Sequence, residues 1–213
     1  MSEAPQHAPL IFPIKDGHIM AGGRSVSDWA QELPTPFFLY DKELIEARIA
    51  ELRARLPQDL SLHYAIKANP FAPLLSFMQP LVDGFDVASG GELDMAQAAG
   101  MTPGHISFAG PGKTDAELEK ALDAGITVNA ESPGEIDRLS TIARRAGKKA
   151  RLAIRVNPAF EVRQSGMKMG GGPRQFGIDE EQVPAVLKGL DLEAVDFRGF
   201  HIFAGSQILR EDV

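Results

Sequence analysis

Short apolar runs alternate with helix-period segments along most of this chain, and that alternation limits the fold more than any single residue does. From Thr35 onward the strand candidates are 37–40, 60–67, 84–88, 105–109, 126–129, 151–157 and 198–203. Helix candidates at 41–56, 71–79, 90–99, 114–124, 133–146 and 179–189 fall between them. In the first helix, Leu44, Ile45, Ile49, Leu52 and Leu56 form one stripe behind Asp41, a natural N-cap. Thr114, Ser132 and Asp179 are suited to cap the last three. Most strand starts recur about every 20–25 residues, the spacing of βα units, which predicts parallel strands.

Two architectures meet that pattern: a doubly wound open sheet and an α/β barrel of the (β/α)8 TIM type. A doubly wound dinucleotide site needs a glycine-rich turn after its first strand. Tyr40-Asp41-Lys42 offers no such glycine, so the barrel is expected, over residues 34–213. Residues 1–33 read as a separate N-terminal segment belonging to or flanking a β-domain. Within it, residues 11–14 suggest a strand and Asp16-Gly17-His18 a turn.

Barrels place their chemistry at the C-terminal ends of their strands. Here those ends carry Lys67, Asp86 with Ser89, Asn129, Arg155 with Asn157, and His201. Lys67 follows an alternating face of Leu60, Leu62, Tyr64 and Ile66. An amine at the exit of a core strand is placed to form a Schiff base with an aldehyde, whereas an isolated lysine there would simply be a surface residue. Arg155 stays charged at any relevant pH and suits a phenolate or carboxylate neighbour, or a rim salt bridge. Asp86 and Glu92 flank a helix start at Gly90-Gly91, where acids are also favourable as caps. Gly205-Ser206-Gln207 supplies backbone donors and a hydroxyl of the kind that cradles phosphate; the glycines at 170–172 are a weaker alternative. The glycine-rich stretch 165–174 lies after a rim strand, as a lid or binding loop would, although a solvated linker has the same composition.

The net charge of -7, with no basic cluster, argues against a nucleic-acid surface. The chain has no cysteine, so disulfides, thiolate nucleophiles and cysteine-bound metals are excluded within it, and no other metal set stands out. The polar start does not resemble a signal peptide, and no run approaches the ~18 apolar residues of a membrane span. A cytoplasmic protein acting on a small molecule, without a membrane partner, is expected.

Tyr64-Ala65-Ile66-Lys67-Ala68-Asn69 resembles the cofactor-lysine motif of the pyridoxal-phosphate-dependent decarboxylases of the alanine-racemase-like barrel fold, the diaminopimelate/ornithine decarboxylase family. Phe85-Asp86-Val87-Ala88-Ser89-Gly90-Gly91-Glu92-Leu93 resembles the family's next motif, in its diaminopimelate decarboxylase form. Arg155-Val156-Asn157-Pro158, Phe176-Gly177-Ile178 and His201 with Gly205-Ser206 follow in the family's order. The wording of 201–206 is most similar to the exosortase-associated branch.

The resemblance implies pyridoxal 5'-phosphate held through Lys67, with His201 stacked on its ring. It also implies Arg155 beside the phenolic oxygen, Asp86 and Glu92 near the lysine, and Gly205 and Ser206 toward the phosphate. Arg163, Lys168, Arg174 and Phe176 would belong to a loop facing substrate. It implies decarboxylation of an amino acid by a homodimer. A complete member is roughly twice as long as this chain, so the N-terminal part of an incomplete barrel is expected. The alternatives are a non-catalytic pyridoxal-phosphate-binding barrel and an inactive fragment of the decarboxylase.

Overall fold

A computed structural model describes residues 12–160, 167–168 and 175–206. The chain divides into two compact units, Met1–Leu60 and Ser61–Val213.

In the first unit, β1 (Ile14–Lys15), β2 (His18–Ala21) and β3 (Arg24–Ser25) form a small antiparallel sheet. Asp16 and Gly17 both have positive φ, the requirement of a tight hairpin turn whose twist matches its strands. Ser25 caps α1 (Val26–Glu32) by accepting from the Asp28 N–H. That short helix is not in the sequence pattern; Trp29 anchors it by donating to the Ala21 carbonyl. Residues 37–40, expected as a strand, join no sheet among the described residues and leave Phe38 89% exposed.

Asp41 caps α2 (Lys42–Arg55) as expected, and its second oxygen accepts from the Gly22 N–H at 2.7 Å. That bond ties the helix start to the turn between β2 and β3. The expected stripe of Leu44, Ile45, Ile49, Leu52 and Leu56 is the less exposed face of α2, but none of these residues is buried.

The second unit is a parallel α/β sheet with its helices, part of an α/β barrel. Its elements are β4 (His63–Ala65), α3 (Ala72–Met78), β5 (Gly84–Val87), α4 (Gly90–Ala98), β6 (Ile106–Phe108), α5 (Asp115–Ala124), β7 (Thr127–Ala130), α6 (Pro133–Ala146), β8 (Ala150–Asn157), β9 (Met167–Lys168), β10 (Ile178–Asp179), α7 (Val183–Lys188), β11 (Val195–Ile202) and β12 (Gly205–Ser206). Seven strands pair in parallel: β4, β5, β6, β7 and β8 in sequence order, with β10 and β11 both on β8. β9 and β12 form a separate antiparallel pair.

Registered neighbours in a sheet share a face, and successive residues alternate. One face is apolar: Phe85, Val87, Ile106, Phe108, Val128, Leu152 and Ile154 are all fully buried or nearly so. Leu93 of α4, Leu118 of α5 and Leu139 of α6 are at 0% exposure and complete that core. The other face is polar and carries Asp86, Ser107, Thr127, Asn129, Arg151, Arg155 and His201.

The caps explain why the helices start where they do. Ser89, Thr114 and Ser132 each accept from the backbone N–H three residues on. Asp179 differs from expectation: it precedes a short 3-10 turn, Glu180–Gln182, and makes no side-chain cap. Its carboxylate instead accepts from Asn157 Nδ2 at 2.7 Å, and the α-helix begins only at Val183.

Candidate active site

A cavity of about 600 Å³ opens on the polar face of the second unit. Lys67, Asp86, Arg155, Phe176 and His201 line it, all named from sequence. Ala65, Ala88, Ala109, Lys113, Glu117 and Phe203 complete much of its wall. The volume falls within the range of small-molecule and cofactor sites.

Each side chain is set by its strand. β4 ends at Ala65, two residues earlier than expected, because the chain tightens into a 3-10 turn over Ile66–Ala68. That turn buries Ile66 and leaves Lys67 exposed to the cavity rather than buried at a strand end. Among the described residues Lys67 has no hydrogen bond or ion pair. Asp86 registers opposite Ala65 and Ser107, and the Ser107 hydroxyl donates to its Oδ1 at 2.9 Å. Arg155 and His201 face each other across β8 and β11. The Arg155 guanidinium carbon lies 4.9 Å from the Phe176 ring centroid and 5.9 Å from that of Phe203, so two aromatic faces sandwich the cation's surroundings.

Burial pushes the His201 imidazole below its ordinary pKa, and the neighbouring Arg155 cation pushes it the same way. Asp86 and Glu131 oppose that shift without cancelling it. The ring is therefore neutral at neutral pH. Its Nδ1 is buried without a hydrogen-bond partner among the described residues.

Gly177 supports the site from behind. Its φ is +82°, and a Cβ there would sit 3.0 Å from the Asn157 N and 3.1 Å from the Arg155 carbonyl oxygen. Only glycine lets the Phe176-Gly177-Ile178 segment approach β8 this closely.

Other expected residues lie elsewhere. Glu92 accepts from the Ala88 N–H at 2.7 Å while its own N–H is held by Ser89, so it is a capping acid and does not line the cavity. Asn129 and Asn157 are buried but likewise stay outside its wall. Gly205 and Ser206 pair with Met167–Lys168 and do not line it either. Arg163 and Arg174, and the side chain of Lys168, lie outside the described residues.

The structure adds three charged residues that the sequence pattern did not single out. Lys113 is 4% exposed, and its Nζ donates to the Gly110 carbonyl at 2.7 Å, the Asn129 carbonyl at 2.8 Å and Glu135 Oε1 at 2.7 Å. Glu135 Oε2 accepts from the Glu131 N–H. Glu131 Oε1 accepts from the Gly110 N–H and from Arg155 Nη1 at 2.9 Å. Two cations and two carboxylates thus form one buried, charge-balanced chain under the cavity. Their sequence signals were weak: Lys113 sits in a turn, and Glu135, three residues after Ser132, reads as a capping-box acid.

The parallel sheet and the turns at its strand ends thus bring a lysine, an arginine and a histidine around one cavity. Residues 42–212 match the pyridoxal-dependent decarboxylases over their pyridoxal binding domain, and the chain belongs to that family. It is 40% identical over 180 residues to the L-glutamyl-(BtrI acyl-carrier protein) decarboxylase of Niallia circulans, covering 84% of this chain and 42% of that protein. It is 38% identical over 198 residues to the diaminopimelate decarboxylase of Aquifex aeolicus, covering 92% and 47%. The crystal structure of diaminopimelate decarboxylase from Helicobacter pylori complexed with L-lysine superposes with a TM-score of 0.80 at 33% identity, covering 86% of this chain and 48% of that one. The chain therefore spans about half the length of the relatives it matches. Among the described residues no helix is long and apolar enough to cross a membrane, and no cluster of metal-ligating side chains occurs.

Proposed function

We propose that this chain is the pyridoxal-phosphate-binding part of an amino-acid decarboxylase of the diaminopimelate decarboxylase kind, with Lys67 as the residue that takes up the cofactor's aldehyde. One observation carries the choice of lysine. Lys67 and Lys113 both line the cavity, but all three N–H bonds of Lys113 are already donated to protein acceptors. Lys67 has no such partners among the described residues, so its amine is the one available to react.

When bound, pyridoxal phosphate supplies an electron sink for the pair released as carbon dioxide leaves. The protein's part is positioning. Arg155 offers fixed positive charge to the phenolic oxygen. His201, neutral and flat, offers an uncharged face for the ring to stack on. Asp86, held by Ser107, lines the same cavity as Lys67 and supplies an acid there. Gly205 and Ser206 belong to this reading as the residues toward the phosphate, although neither lines the cavity. Division of the chain into an N-terminal segment and a barrel domain belongs to the same reading. So do a homodimeric assembly, a cytoplasmic location and membership of the exosortase-associated branch, which rest on the wording of the motifs.

The test is spectroscopic. The intact protein supplied with pyridoxal phosphate should develop the visible band of a lysine-bound cofactor. Lys67→Ala should lose it and Lys113→Met should keep it. Retention of the band in Lys67→Ala would sink the assignment. Carbon dioxide release from meso-diaminopimelate, lysine or ornithine then separates an active decarboxylase from a cofactor-binding protein without turnover.

A further inference from the structure

Arg155 lines the cavity wall, and its charge is met by a carboxylate that does not itself touch the cavity. That carboxylate is Glu131. Its side chain is 1% exposed and that of Arg155 is 9% exposed, so water does little to fix the geometry of the pair. Two donors converge on the same Glu131 oxygen: the Gly110 N–H from the turn after β6, and Arg155 Nη1 from β8. The Glu131 backbone is held in turn by Glu135 Oε2, and Glu135 by Lys113. Glu131 is therefore pinned from two neighbouring strand ends and from the helix that follows it. Among the described residues, the other neighbours of the Arg155 guanidinium are the rings of Phe176 and Phe203, which allow a guanidinium to slide.

We propose that Glu131 is a positioning residue. It fixes the Arg155 guanidinium at the cavity floor so that its remaining N–H groups present one orientation to the bound anionic oxygen. This rests on the reading of Arg155 given above and deepens it: the recognising charge is Arg155, and its location is decided by Glu131, reached through Gly110, Glu135 and Lys113. A salt bridge that served only to neutralise charge would stabilise the fold without setting affinity. A positioning acid sets affinity through Arg155 alone.

The experiment uses the intact protein with Glu131→Gln, Arg155→Gln and the double variant. It has one readout without cofactor and one with it. Without cofactor, the Nη signals of Arg155 in a nitrogen-resolved NMR spectrum should be distinct and slowly exchanging in the parent protein. They should coalesce in Glu131→Gln, because rotation about the guanidinium is released. With cofactor, Glu131→Gln should raise the Kd for pyridoxal phosphate by at least about tenfold while the lysine-bound band survives at saturation. In the Arg155→Gln background the same change should shift Kd by less than about twofold, the signature of action through one partner.

Unchanged Nη signals together with unchanged Kd would overturn the proposal, even if the melting temperature fell. Equal Kd effects in both backgrounds would overturn it too. If the parent protein binds no pyridoxal phosphate, the functional reading fails by itself, and the cofactor-free NMR arm still decides whether Glu131 fixes Arg155. Should Glu131→Gln not fold, Glu131→Asp keeps the charge on a side chain one methylene shorter, unable to meet both Gly110 and Arg155. It should likewise release the Nη signals, and their persistence would refute the idea.

Discussion

Replacing Lys113 by methionine keeps a long flexible side chain and removes one charge from the buried chain under the cavity. The Lys113 side chain is 1% exposed and that of Glu135 is 2% exposed, so neither partner can recover its lost interaction from water. The substitution strands the Glu135 carboxylate and two carbonyl oxygens, those of Gly110 and Asn129. Removing one partner of a buried ion pair costs about 3–5 kcal/mol, most of it the penalty of the unpaired charge. For a chain of this length each kcal/mol moves the melting temperature by roughly 2–4 °C, so a fall of about 6–20 °C is expected. Lys148→Met is the control. Its partner Asp123 is 68% exposed, and such surface pairs contribute about 0–1 kcal/mol. The assay is thermal and urea unfolding followed by circular dichroism, without cofactor. Adding Glu135→Met to Lys113→Met should recover part of the loss, because no charge is then stranded. A Lys113→Met protein within about 1 kcal/mol of the parent would show that the pair is hydrated in solution, and the argument for Lys67 over Lys113 would fall with it.

Acid should destabilise the second unit through its histidines. Burial pushes His63 and His201 below the ordinary value of 6.5, so the unfolded chain binds more protons than the folded one beneath that value. Their contribution is complete above about 6.5 and is lost as pH falls from there toward the depressed folded values; melting curves across this window should show the slope, and His201→Gln should flatten it. Thr114→Ala removes both the hydroxyl that accepts from Glu117 N–H and its partnership with the Glu117 carboxylate, at a cost of about 1 kcal/mol by urea titration. Gly84→Ala should be far worse than an ordinary surface change, because the added Cβ would lie 2.3 Å from the His105 carbonyl oxygen and 2.4 Å from the His63 ring; a melting temperature equal to the parent's would refute this packing.

The rhythm of strands and helices was legible because caps and apolar alternation are local. Thr114 and Ser132 stand at their helix starts as expected, and strands at 84–87, 127–130 and 150–157 fall close to their predicted runs. Residues 37–40 misled because an aromatic-rich run has strand propensity, but here it joins no sheet among the described residues. Asp179 misled because its carboxylate is taken by Asn157, a neighbour in space and not in sequence. Glu92 had two readings from sequence, and its bond to the Ala88 N–H is the geometry that favours the cap.

The candidate site divides the same way. That Asp86, Arg155 and His201 share one face of one sheet follows from alternation and parallel order, whereas Lys67 reaches the cavity from the 3-10 turn after β4. Which lysine is free to react does not follow from sequence. Lys67 and Lys113 both follow strands and line the cavity, and they differ in what meets the amine: three protein acceptors for Lys113 and none among the described residues for Lys67. Local sequence specifies backbone shape because its determinants lie within a few residues. The availability of a charge depends on partners from separate strands and helices, such as Glu131 and Glu135 here, and only the tertiary structure brings those together.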